Sequence, residues 1–137
     1  MTTSVDSSVL LDLLVTDPRY GDLSEAALKE ARSKGRLVVC EVVVAELRPA
    51  LSSDDELIEF CQDLGLEFEP CSYEAALLAG ALFMAYLSNR GSAKRVLPDF
   101  LIAAQARCHE YVLLARDRGY YRDYFEGLVV VDPSLRQ

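Results

Sequence analysis

Short runs of consecutive apolar residues, "LVVC" at 37–40, "YVLLA" at 111–115 and "LVVV" at 128–131, alternate along the chain with helix-length amphipathic stretches. A run that is apolar at every position, rather than at every second one, fits a strand buried on both faces. Such strands belong to a parallel sheet covered by helices on either side. With the stretches 2–5 and 66–70 added as further strands, the pattern predicts an α/β fold: a three-layer α/β/α sandwich around a short, mostly parallel sheet. At 137 residues the chain is long enough to bury one such core without disulfide or metal staples. It contains no internal repeat and no linker, so a single domain over 1–137 is expected.

The helices carry their own punctuation. Asp22 followed by Glu25 reads as a capping box, and Gly35 ends that helix; Ser53 with Glu56 opens another, which Gly65 stops. Pro49 is expected to end the helix of "EVVVAELR", because proline disfavours helical geometry in the residue before it. The longest helix, 73–89, carries Ala76 and Gly80 one turn apart, a small-residue stripe read as facing the core, with a dimer seam as the alternative. Cys40, Cys61, Cys71 and Cys108 show no CxxC spacing and each adjoins an apolar stretch, so buried free thiols in a reducing compartment are expected. The N-terminal stretch lacks the basic start of a secretion signal and no run reaches the ~20 apolar residues of a membrane span, which predicts a cytoplasmic protein with no membrane partner.

Fourteen Lys and Arg against twenty-two Asp and Glu give a net charge of -8. That excludes binding of nucleic acid by general electrostatic attraction; a polyanion has to be met by a local basic patch. Four acids stand out by position. Asp6 closes the first strand and Asp117 follows the fourth, and in open parallel sheets ligands gather outside the carboxyl ends of strands. Glu46 lies a little over one turn into the helix after "LVVC", and Asp99 heads the helix of "PDFLIAAQA", so both reach toward the same rim. Each has a local alternative: Asp6 as helix cap, Glu46 as a solvated helix residue, Asp99 as cap or dipole partner, Asp117 as a turn former with Asp123 nearby. Taken together they would repel, and some would take up protons unless a cation sat between them. Mg2+ or Mn2+ suits such oxygen ligands, and a bound ion of this kind can activate a water against a phosphodiester.

Other chemistries find less support. His109 is the lone histidine, read as a surface or helix-end residue, so a paired-histidine ribonuclease mechanism lacks its second member. Ser7 and Ser8 have no histidine close in sequence and are better placed to hydrogen-bond an acid or a metal shell. No glycine-rich phosphate loop is present. Arg90, Lys94 and Arg95 precede Asp99, and Arg116, Arg118 and Arg122 surround Asp117; Ser7, Arg95, Arg116 and Arg118 are the candidate substrate contacts. Tyr120, Tyr121, Tyr124 and Phe125 are read either as stacking surfaces for bases or as anchors of the last strand.

In order, "VDSSVLLDLL", "CEVVVAELRPAL", "RVLPDFLIAAQA" and "LLARDRGYYRDYFEGLVVVDP" resemble the PIN-domain family, specifically the VapC-type toxins of type II toxin–antitoxin pairs. The family's four acidic positions fall on Asp6, Glu46, Asp99 and Asp117. The resemblance implies an endoribonuclease that uses Mg2+ or Mn2+ to cut single-stranded RNA, a homodimer, and a cognate antitoxin that neutralises it. It also implies that Asp6 and Asp99 are the nearest metal ligands, with Glu46 and Asp117 completing the shell directly or through water. Two positions depart from the family: Ala115 stands where many members have a threonine or serine, and Asn89 where close relatives often have a basic residue. Two other readings stay open. One is a catalytically weak PIN scaffold that binds RNA or protein; the other is a receiver-like phosphoacceptor module, which would want a lysine at a strand end, where none of Lys29, Lys34 and Lys94 falls.

Overall fold

The structure is a computed structural model that describes residues 1–90 and 96–135. Lys94 and Arg95, and the side chain of Arg90, therefore lie outside the described residues. In chain order the elements are β1 (Thr2–Val5), α1 (Ser7–Leu14), α2 (Gly21–Lys34), β2 (Arg36–Val39), α3 (Glu41–Leu47), α4 (Asp54–Leu64), β3 (Leu66–Phe68), α5 (Tyr73–Arg90), α6 (Leu97–Cys108), β4 (Val112–Leu114), α7 (Tyr120–Tyr124) and β5 (Val130–Val131). Short 3-10 turns follow α3 at Arg48–Ala50 and β5 at Pro133–Leu135.

The strands form one sheet in the order β3-β2-β1-β4-β5, and each neighbouring pair is parallel. Val5, Leu37, Val38, Val39, Leu113 and Leu114 are all buried, as strands covered on both faces require. From β1 the chain builds outward through β2 to β3, then crosses to the other side of β1 for β4. With right-handed crossovers, that reversal puts α2 and the α5–α6 pair on opposite faces. Accordingly α2 packs on β2 while α6 packs on β1 and β4, giving the three layers expected. The reversal also opens a crevice at the carboxyl ends of β1 and β4.

Local punctuation is partly as expected. Ser53 Oγ accepts the Glu56 N–H at 3.1 Å, and Gly65 closes α4 in the left-handed region at φ 71. The Asp22–Glu25 capping box does not form. Asp17 organises the preceding turn instead, its Oδ1 accepting the N–H groups of Arg19 and Tyr20 at 2.8 Å each, so α2 starts at Gly21 and Asp22 falls inside its first turn. Gly35 does end α2, and a Cβ there would collide with the Met1 carbonyl oxygen just before β1. Pro49 sits in the 3-10 turn, with α3 ending at Leu47.

The small residues of α5 that face the core are Ala75 and Ala79, both fully buried, rather than Ala76 and Gly80: Ala76 is exposed, and a Cβ at Gly80 would meet nothing within 4 Å. Of the four free cysteines only Cys40 is buried; Cys61, Cys71 and Cys108 are half-buried. Tyr120, Tyr124 and Phe125 pack around Phe100 and so anchor the C-terminal segment. His109 is the exposed C-cap of α6, stacked on Tyr111.

Candidate active site

The crevice begins with one main-chain bond. Asp6 N–H donates to the Leu114 carbonyl at 2.9 Å, so the acid after β1 is fixed at the point where the strand order reverses. Asp6 is also the N-cap of α1: its Oδ2 accepts the Ser8 N–H at 3.1 Å and the Ser8 hydroxyl at 2.5 Å. Oδ1 is buried and has no hydrogen-bond partner among the described residues. Cap and free ligand are thus the two oxygens of one side chain. Burial raises the Asp6 carboxyl above its ordinary value, against the lowering effect of the Ser8 hydrogen bonds and the Arg118 charge.

Glu46, on the exposed face of α3, accepts the Ser7 hydroxyl at 2.7 Å, which ties α3 to the start of α1. Asp99 lies in the first turn of α6 beside Pro98 and is half-buried. Its carboxyl is pushed up to about 6, first by burial and then by the negative charges of Asp6 and Glu46, with Arg118 opposing. Asp6, Ser7, Glu46, Asp99, Arg118 and Tyr121 line a cleft of about 400 Å³ together with Ser8, Leu11, Arg116 and Tyr120.

Asp117 is set apart from that lining. Its Oδ1 accepts the Gly119 N–H at 2.7 Å in a tight turn, and its own N–H donates to Asp132 Oδ2 at 3.0 Å. These bonds fix Asp117 with no hydroxyl at position 115, where Ala115 is buried. All four acids nevertheless converge electrostatically on Tyr121, which is 3% exposed: after burial, the charges of Asp6, Asp99, Asp117 and Glu46 each raise its hydroxyl.

The basic candidates separate. Arg118 is exposed and its charge acts on both Asp6 and Asp99. Arg116 lines the cleft but its guanidinium is held bidentately by Asp12, at 3.0 Å from Nε to Oδ2 and 2.9 Å from Nη2 to Oδ1. Asp12 is 2% exposed and also accepts the Ser24 hydroxyl at 2.7 Å, while the Tyr20 ring lies under the guanidinium at 4.4 Å. Arg116 N–H donates to Ser8 Oγ at 3.2 Å, so this network joins the end of β4 to the cap of α1 and to α2. Arg95 is outside the described residues.

Sequence reasoning missed Asp12, Asp132 and the central place of Tyr121. Asp132 follows β5 on the same rim, and the strand-end criterion that selected Asp6 and Asp117 would have found it. Asp12 had a weaker signal, a lone acid inside the apolar run of α1.

A hard divalent cation fits this donor set. The buried, unpartnered Asp6 Oδ1 leaves an acceptor free for a cation. Among the described residues three ligand atoms approach within 4.8 Å of one another only at Cys40, Glu41 and Cys71, so the four acids stand further apart than a closed protein cage. An ion that keeps several of its waters suits that spacing.

A family model of the PIN domain matches residues 4–125. VapBC2 from Rickettsia felis, solved bound to a promoter DNA fragment, has a TM-score of 0.71 at 17% identity, covering 96% of this chain and 98% of that one. VapBC-1 from nontypeable Haemophilus influenzae has a TM-score of 0.71 at 18% identity, covering 98% and 99%. A toxin–antitoxin complex from Klebsiella pneumoniae has a TM-score of 0.67 at 19% identity, covering 96% and 97%. At these identities the solved structures speak to the fold alone. No curated protein sequence matches.

Proposed function

This chain belongs to the PIN-domain family, and on that premise we propose that it is a metal-dependent endoribonuclease, the toxin of a type II toxin–antitoxin pair, with 1–137 as one nuclease domain. The observation that carries the reading is the buried, unpartnered Oδ1 of Asp6 at the switch point of the sheet. Asp6 and Asp99 would hold Mg2+ or Mn2+ most closely, with Glu46 and Asp117 completing the shell directly or through water. When bound, the ion supplies an activated water and neutralises charge growing on the phosphate oxygens. The chain's own residues do the positioning: Ser8 fixes Asp6, Ser7 fixes Glu46, and Asp132 fixes the turn that carries Asp117. Arg118 gives the phosphate backbone a counter-charge at the cleft mouth; Arg95 and Arg116 are proposed alongside it, Arg116 from within its pair with Asp12.

The likeness to the Klebsiella pneumoniae toxin–antitoxin complex supports a cognate antitoxin as partner. A homodimer is supported by α5, on which Tyr73, Leu77 and Met84 share one exposed apolar face. No helix among the described residues is long and apolar enough to cross a membrane, and a cytoplasmic location goes with the toxin reading. The receiver-like alternative does not fit: a flavodoxin-like sheet runs in the order 2-1-3-4-5, whereas here β1 lies between β2 and β4. Expression of the wild-type chain should arrest growth and cleave RNA, and Asp6→Asn or Asp99→Asn should abolish both while the protein stays folded. Full toxicity from either variant overturns the proposal, and a folded, non-cleaving wild type favours the silent scaffold.

A further inference from the structure

We propose that Cys40, Cys71 and Glu41 form a second metal site, built for a thiolate-seeking divalent cation of the Zn2+ class. One ligand atom from each residue lies within 4.8 Å of the other two. Topology brings them together. Cys40 follows β2, Glu41 opens α3, and Cys71 lies in the segment that joins β3 to α5. Because β2 and β3 pair in parallel and Glu69 N–H extends the pairing to the Val39 carbonyl at 2.9 Å, residues 30 apart in sequence meet just beyond the strand ends.

Backbone bonds around Cys71 hold the site, and the Cys71 thiol itself donates to the Leu101 carbonyl at 3.9 Å. Cys71 N–H donates to Glu41 Oε1 at 2.8 Å, and Ser72 N–H donates to Gln105 Oε1 at 3.0 Å. Gln105, 2% exposed on α6, also donates to the Pro70 carbonyl at 3.2 Å. The loop that carries Cys71 is therefore pinned to two helices before any ion arrives, which is the preorganisation a metal site needs.

The donor set selects the ion. Two thiolates and a carboxylate leave a fourth, open position of a tetrahedron, and their softness favours Zn2+ over Mg2+. The Glu41 carboxylate beside the two sulfurs adds a third donor for a cation. Glu41 is exposed and Cys71 half-buried, which gives an entry route to the buried Cys40. The site differs in chemistry from the acidic cleft and does not depend on it, although α3 carries residues of both.

The test uses the full chain, reduced and stripped of metal, titrated with Co2+ and then Zn2+. The expected result is a thiolate-to-cobalt charge-transfer absorption that saturates at one ion per chain, is displaced by Zn2+, and persists in Asp6→Asn and Asp99→Asn. Cys71→Ser should lose the absorption, and Glu41→Gln, at an exposed position, should weaken Zn2+ binding by roughly tenfold or more. No thiolate band in the wild type, a band that survives in Cys71→Ser, or unchanged Zn2+ affinity in a folded Glu41→Gln overturns the proposal. A Cys40–Cys71 disulfide found by intact mass, with no Zn2+ uptake after reduction, does so too.

Discussion

At Asp99, burial and the charges of Asp6 and Glu46 raise the carboxyl from 3.8 to about 6. Its folded pKa therefore exceeds its unfolded one, and the folded state binds more protons between those values. The resulting stability is complete below about pH 4 and is lost as pH rises through about 6. Metal-free protein should accordingly become more heat-stable on acidification from pH 7 toward 5, by on the order of 1–2 kcal/mol after allowance for solvent screening. Thermal unfolding in EDTA measures this, and Asp99→Asn should flatten the slope over that window. A second prediction concerns Asp12, whose removal leaves the Arg116 guanidinium without its bidentate partner. Asp12→Ala should cost about 2–3 kcal/mol, less than a fully buried pair because Arg116 keeps some exposure; a denaturant midpoint unchanged from wild type would contradict it. Asp6, Asp99 and Asp117 stood out because each follows a strand or opens a helix, and Glu46 because its short helix starts at a strand end. Asp12 was not, since its partner lies 104 residues away and nothing local announces it.

At the scale of elements, legibility followed how local the deciding interaction is. Ser53 and Gly65 act within a few residues of themselves, and both ends of α4 came out as read. Ser53→Ala should destabilise the protein by about 1 kcal/mol, measurable by thermal or denaturant unfolding, with Ser53→Gly costing only a few tenths. The start of α2 was misread because Asp22 and Asp17 carry the same capping chemistry, and the one nearer the turn took the free N–H groups. The small-residue face of α5 was misplaced by one position for a related reason. Apolar residues surround that helix, so its sequence does not fix which side faces α6; Ala75 and Ala79 do so, and Leu77 and Met84 point outward. β5 is shorter than its apolar run: Val130 and Val131 pair in register with Leu113 and Leu114, while Val129 lends its carbonyl to the Leu113 N–H at 2.9 Å.

For the whole molecule, the pattern of apolar runs was enough for the layers and the parallel sheet, but not for the order of its strands. That order depends on which side of β1 the chain chooses after β3, a long-range packing decision. Once β1 and β4 are neighbours, Asp6 and Asp117 share a rim, α3 and α6 bring in Glu46 and Asp99, and Tyr121 stands among them. This convergence is what would hold a catalytic ion against RNA. The direct measurement is single-stranded RNA cleavage by purified, antitoxin-free protein after EDTA treatment, with Mg2+ or Mn2+ added back, for wild type and Asp6→Asn. Cleavage is expected to disappear in EDTA, to return with either ion in the wild type, and to stay absent in Asp6→Asn. Cleavage that persists without metal, or an Asp6→Asn protein that cuts at the wild-type rate, would contradict it.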